Sequence, residues 1–299
     1  MSTETYIEIQ SQNVKLNGTT QFNFTGSVAQ YLAGIASFQL QFEREEDHHV
    51  EQMSIQLQTN KPSSNQVTVE AIVVLQDDSG HSIDTTASYV TVTVIASSSS
   101  SGDLLLLSPS YTVSSPGDST GITLPGPTDP ILQSVLGGFY LSFGSTDHEI
   151  AQVEASVGVG QNSNAGYLKV TADMNDASGN HAVDPTASGA LIATSLSDPG
   201  FVVASYTGQH SGEQTPAIPM GATITGAVSF LTRFHVQYPG SSDHHVRTIG
   251  AGPDQTTVDS GDNTKAQTSG VQAWMSDASG NTEDDTNSYA SIVVVGTTR

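Results

Sequence analysis

Two short signatures recur three times along this chain, in the same order each time. Phe38-Gln-Leu-Gln-Phe42 leads into Asp47-His48-His49-Val50, Phe139-Tyr-Leu-Ser-Phe143 into Asp147-His148-Glu149-Ile150, and Phe234-His-Val-Gln-Tyr238 into Asp243-His244-His245-Val246. Downstream of each lies an Asp-x-Ser-Gly turn: Asp77 to Gly80, Asp176 to Gly179 and Asp277 to Gly280. The loop aspartates are separated by 100 and then 96 residues. Solenoid repeats are only roughly 20–45 residues long, so this spacing predicts three whole small units, 1–98, 99–198 and 199–299. The serine run from Ser97 to Gly102 reads as a flexible linker, and Asp198-Pro-Gly200 as the second break.

Each unit has the period-two patterning of a strand with one buried face. Val67, Val69, Ala71, Val73 and Leu75 alternate in the first; Leu168, Val170, Ala172 and Met174 in the second; Val271, Ala273 and Met275 in the third. Tyr89–Ile95, Leu191–Ala193 and Tyr289–Val295 are rich in strand formers. Ser27–Ile35 is read as one or two helical turns. Several short strands per hundred residues predict an all-β chain of three tandem antiparallel β-sandwich units. Like units associate by closed rotational symmetry, which predicts an intramolecular pseudo-trimer; the alternative is a string of separate units.

The chain carries 8 Lys plus Arg against 30 Asp plus Glu, a net charge of −22. Phosphate recognition needs clustered cations, so nucleic acid is excluded as a partner. No apolar run reaches the ~18 residues of a membrane span, so no membrane insertion is expected. There is no cysteine, which removes disulfides, thiolate metal sites and a cysteine nucleophile. The start, Met1-Ser-Thr-Glu-Thr-Tyr6, has neither the basic residues nor the apolar stretch of a secretory signal. An extracellular or virus-particle location is expected, reached by another route such as lysis, with the cytoplasm as the alternative.

The Asp-His pair lies between two strands in every unit and holds five of the nine histidines. A turn in which Asp accepts backbone N–H bonds is one reading; a metal or pH-sensitive contact is the other. If the units close into a ring with these loops facing the axis, His48, His148 and His244 converge, and three imidazoles suit Zn²⁺ or Ni²⁺. The Asp-x-Ser-Gly turn is followed in each unit by another acid, so Asp77 with Asp84, Asp176 with Asp184, and Asp277 with Asp285 are candidate calcium ligands, against plain turns. A divalent cation is the one cofactor these residues suggest. Trp274, the single tryptophan, aligns with Val74 and Asp173. A position that takes Val, Asp and Trp is not deep core, so the indole is a candidate stacking platform for a sugar. No Gly-x-Ser-x-Gly elbow, P-loop, His-Glu-x-x-His or dinucleotide glycine run is present, and the chain is read as a non-enzyme.

In order of features the units resemble the H-type lectin domain. Ile122-Thr-Leu124, Pro130, Phe139–Phe143, Asp147-His148 and Leu168–Met174 are similar to it in sequence order, and Ala273-Trp274-Met275-Ser276-Asp277 followed by Tyr289 is similar to its Trp-bearing and closing strands. The resemblance implies a trimeric β-sandwich that binds galactose-type sugars. It implies a sugar site in the third unit made of Trp274, Arg247, Asp243, Asp277 and Tyr289. The first two units have Glu51 and Ala151 where the third has Arg247, and read as scaffold. The expected function is lectin-like recognition or adhesion with a glycan as partner. The alternative is a structural subunit of a virus tail or cell-surface appendage, with neighbouring protein subunits as partners.

Overall fold

The structure is a computed structural model that describes residues 6–43, 46–100, 102–125, 131–162, 165–196, 199–209 and 217–299. The described residues form β-strands, turns and single 3-10 turns, with no α-helix among them. The first third of the chain supplies β1 (Ile7–Val14), β2 (Thr19–Asn23), β3 (Gln30–Gln41), β4 (Gln52–Ser63), β5 (Gln66–Gln76) and β6 (Tyr89–Ser97). The second supplies β7 (Leu104–Ser114), β8 (Gly117–Asp118), β9 (Ile122–Thr123), β10 (Ile131–Ser142), β11 (Gln152–Asn162), β12 (Ala165–Asn175) and β13 (Thr186–Thr194). The third supplies β14 (Phe201–Gln209), β15 (Ile218–Pro219), β16 (Gly226–Gln237), β17 (Thr248–Gly252), β18 (Gln255–Val258), β19 (Lys265–Ser269), β20 (Gln272–Ser276) and β21 (Tyr289–Thr297). The alternation read in β5 places Val67, Val69, Ala71, Val73 and Leu75 in the core, each at most 2% exposed.

Every large sheet draws on two thirds of the chain. The strand orders are β1-β6-β3-β17-β20, β2-β5-β4-β10-β13-β7 and β14-β21-β16-β11-β12-β8. An isolated third would leave two inner edges open, each a row of unpaired backbone groups. Here each such edge meets the next third in one of three antiparallel seams, β4 on β10, β11 on β16 and β17 on β3. The registers match: Ile55 faces Phe139, Ala155 faces Phe234, and Ala251 faces Phe38. First joins second, second joins third, and third joins first, so the arrangement closes on itself rather than running as a string.

The equivalent strands β3, β10 and β16 line the centre and pack against one another. Phe38, Phe139 and Phe234 meet there with ring centroids 5.2–5.6 Å apart, all at most 1% exposed. One turn of the pleat away, Gly34 meets Val135 and Phe230, the residues at its own position in the other thirds. A Cβ on Gly34 would lie 2.9 Å from both side chains. Between these two layers each strand carries a bulge, at Ala36, Gly137 and Thr232.

Two readings of the sequence are corrected here. Gln30–Ile35 opens β3 and is not helical; its continuous apolar run reflects burial on both faces, by the sandwich core and by the central strands. The serine run is also no free linker where it is described. Ser97 ends β6 almost wholly buried, the Ser98 hydroxyl accepts the Tyr6 N–H at 2.9 Å, and Gln30 donates to the Ser99 carbonyl at 3.2 Å. Short hydroxyl side chains bond nearby backbone readily.

Candidate functional site

The two recurring signatures are parts of one clasp. After β3, β10 and β16 the chain crosses from one layer to the other through the Asp-His loops, and these loops bond to each other in a closed circle. His48 exchanges backbone hydrogen bonds with Val246, Val50 with His148, and Ile150 with His244, six bonds of 2.8–3.2 Å. Each loop Asp then reaches the Asp-x-Ser-Gly turn of a neighbouring third. Asp47 accepts the Ala278 N–H at 3.1 Å, Asp147 the Asp78 N–H at 3.5 Å, and Asp243 the Ala177 N–H.

Within each third the loop His turns to the first Asp of its own turn. The Nδ1 to Oδ2 distances are 3.2 Å for His48–Asp77, 3.0 Å for His148–Asp176 and 3.3 Å for His244–Asp277. The other side of each imidazole packs on an aromatic ring, Phe42, Phe143 or Tyr238, at 4.4–4.9 Å. Burial works against ionisation of these three aspartates. Hydrogen bonds outweigh it and hold all three below the usual carboxylate value. They come from His81 at Asp77, from Asn180 and His148 at Asp176, and from Asn281 and His244 at Asp277.

His48, His148 and His244 therefore do not converge; each is turned to its own Asp. The next residue in each loop does converge. Backbone alternation across the paired segment sends successive side chains to opposite sides, and His49, Glu149 and His245 face one another with one donor atom from each within 4.8 Å of the others. The His49 and His245 rings meet edge-on at 4.6 Å, and His245 Nε2 lies 3.3 Å from Glu149 Oε1. His49 Nδ1 lies 3.3 Å from Asp147 and His245 Nδ1 3.6 Å from Asp47. The second group of this kind among the described residues is His48, Asp77 and His81.

The pairings also re-sort the candidate calcium ligands. The N–H of Asp84 donates to Gln41 and that of Asp284 to the equivalent Gln237, while in the second third it is Val183 that donates to Ser142. Asp84, Val183 and Asp284 each lie seven residues past the first Asp of their turn, so Asp184 and Asp285 sit one residue beyond the place Asp84 occupies. Asp84 and Asp284 bond their own turns, Asp84 accepting from the Thr86 hydroxyl and N–H at 2.7 Å. Asp77, Asp176 and Asp277 each accept the N–H four residues on at 2.8 Å.

The five residues implied for a sugar site are divided. Trp274 pairs with Gly250 on the outer face of the β17–β20 sheet and lies across it, half-buried; a Cβ on Gly250 would fall 2.2 Å from the indole. Arg247 precedes β17, its N–H donating to Ser276 and its Nε buried without a hydrogen-bond partner. Asp243 and Asp277 belong to the clasp. Tyr289 opens β21, in the other layer of the sandwich, so its ring and Trp274 stand on different outer faces.

Around Tyr289 the β11–β16 seam assembles a polar row that the sequence alone did not reveal. Across four strands it reads Tyr289, His235, Glu154, Asp173. His235 stacks on Tyr289 at 5.3 Å and the Arg233 guanidinium lies 4.7 Å from the same ring. Glu154 is 3.4 Å from both Arg233 and His235, and His181 is 2.7 Å from Asp173. The His235 hydrogen bond, with the charges of His235 and Arg233, lowers Glu154 below its ordinary value despite burial. Compared with known proteins, the chain matches no family model and no curated protein.

Proposed function

We propose that this is a non-enzymatic, lectin-like recognition protein whose glycan site is the outer face of the β11–β16 seam. The observation that carries this reading is the row Tyr289, His235, Glu154 and Asp173 with Arg233 beside it. A sugar offers vicinal hydroxyls and an apolar ring face. Carboxylates accept from hydroxyls, a guanidinium donates in a planar fork, and aromatic side chains cover apolar area. Arg233 is 43% exposed and held in place by Tyr289 and Glu154, which reduces the ordering cost of binding. The likeness in feature order to H-type lectins supports galactose-type sugars as the ligand.

A glycan array with the purified chain tests this. Binding to galactose-type probes is expected, with loss in Arg233→Ala and Glu154→Gln at unchanged circular dichroism. Trp274→Ala separates the two outer faces and is expected to retain binding. No bound glycan, or full binding by Arg233→Ala, would reject the seam as the site. A second reading, a structural subunit of a virus tail or surface appendage, is favoured by the backbone-closed clasp, which gives a rigid ring with distinct ends; electron micrographs showing rings stacked into fibres would support it.

A further inference from the structure

We propose that His49, Glu149 and His245 form a binding site for a first-row divalent metal of the zinc type, at the centre of the three Asp-His loops. The proposal does not rest on the glycan reading. Two imidazoles and one carboxylate are a donor set for Zn²⁺ and its neighbours, whereas Ca²⁺ and Mg²⁺ take oxygen ligands.

The three residues occupy one position in the three loops, and all three loops are fixed by the six backbone bonds of the clasp. Their donor atoms already lie within 4.8 Å of one another, with His245 and Glu149 at 3.3 Å. In a tetrahedral zinc site with bonds of about 2.0–2.1 Å the ligand atoms stand about 3.3 Å apart, so side-chain adjustment alone closes the set.

Both imidazoles are oriented for the task. Their Nδ1 atoms face Asp147 and Asp47, which leaves Nε2 as the coordinating atom; a carboxylate behind a ligating imidazole fixes its tautomer and raises its basicity. The side chains of His49, Glu149 and His245 are 39–43% exposed, so an ion has a path in and a solvent molecule can take the fourth position.

The other histidine-rich group fails the same reasoning. His81 stands where the other thirds have Asn180 and Asn281, and all three donate to the same Asp oxygen. There the imidazole replaces an amide in a turn.

The experiment is calorimetric titration of ZnCl₂ into untagged, chelator-treated full chain, with Co²⁺ absorption as the readout of coordination. One ion per chain with a tetrahedral cobalt spectrum is expected. His49→Ala and His245→Ala should each weaken binding by more than Asp147→Asn, for which a loss of about 10- to 100-fold is expected. His81→Asn should leave it unchanged. Glu149→His leaves the clasp intact, supplies a third imidazole and should bind Zn²⁺ more tightly. Absence of zinc uptake, binding that survives His49→Ala with His245→Ala, loss in His81→Asn, or no gain in Glu149→His would each overturn the site.

Discussion

Replacing Phe139 by Ala tests whether the three thirds stand or fall together. The ring is 1% exposed and touches Phe38 and Phe234 at 5.6 and 5.3 Å. Truncating a buried Phe costs about 3–5 kcal/mol through lost transfer energy and the cavity left behind. The strands around this site are fixed in three seams, so the upper half of that range is expected. Unfolding entropy of about 2.1 cal/mol/K per residue gives about 0.6 kcal/mol/K for a chain of this length, so Tm should fall by about 6–8 °C. Differential scanning calorimetry should show one transition that moves as a whole, and Phe38→Ala and Phe234→Ala should shift it by similar amounts. The double variant Phe38→Ala, Phe139→Ala should differ from the sum of the singles by about 0.5–1.5 kcal/mol, since the two rings are in contact. The reasoning is refuted if the calorimetric trace splits, with most of the enthalpy keeping its original Tm. That result would mean that each third melts independently.

The acid limb of stability should belong to the clasp. Asp77, Asp176 and Asp277 are held below the ordinary aspartate value by their hydrogen bonds, so the unfolded chain takes up their protons first as pH falls. Their contribution is complete above that value and is lost as pH drops through their lower folded values; Tm scans in Asp277→Asn should show a shallower acid limb than the natural chain, and identical curves would contradict this. Gly250→Ala should lift the indole of Trp274 off β17, at a cost of about 1–3 kcal/mol for the overpacking. Since Trp274 is the single tryptophan, its emission should shift to the red, and an unmoved spectrum would show that the ring does not lie on the strand.

Much of the fold was legible because period-two patterning reports directly on burial: β5 and β12 alternate in sequence and in the core. The repeat left a closed ring and a string of units both open, and it is the three seams between distant strands that close the arrangement. The misreadings have causes in contacts between distant parts of the chain. In the segment read as helical turns, Ser27–Ile35, the strand signature was lost from Gln30 onward because β3 is buried on both faces. At the loops the sequence did not say which of two adjacent residues faces the centre, since that depends on the pairing of Val50 with His148, a contact between distant parts of the chain. The assembly of the row across β21, β16, β11 and β12 was not legible in the sequence. Glu154 and Arg233 are 79 residues apart, and neither belongs to a recurring motif. Tyr289 was grouped with Trp274 through the resemblance to the H-type lectin domain, whereas the two stand in different sheets.

The meeting of Gly34, Val135 and Phe230 has a consequence for what this chain can become. A homotrimer must place three copies of one side chain at such a point. Three phenylalanines would collide there and three glycines would leave a hole. With the three protomers fused, one large, one medium and one absent side chain fill the space jointly, and no repeat cut from the chain carries the information to rebuild the ring from copies of itself. Covalent linkage thus lifts a symmetry constraint: each third is free to specialise, so that one seam face can gather charge while another holds an indole, and the central loops can offer two imidazoles and a carboxylate rather than three of a kind.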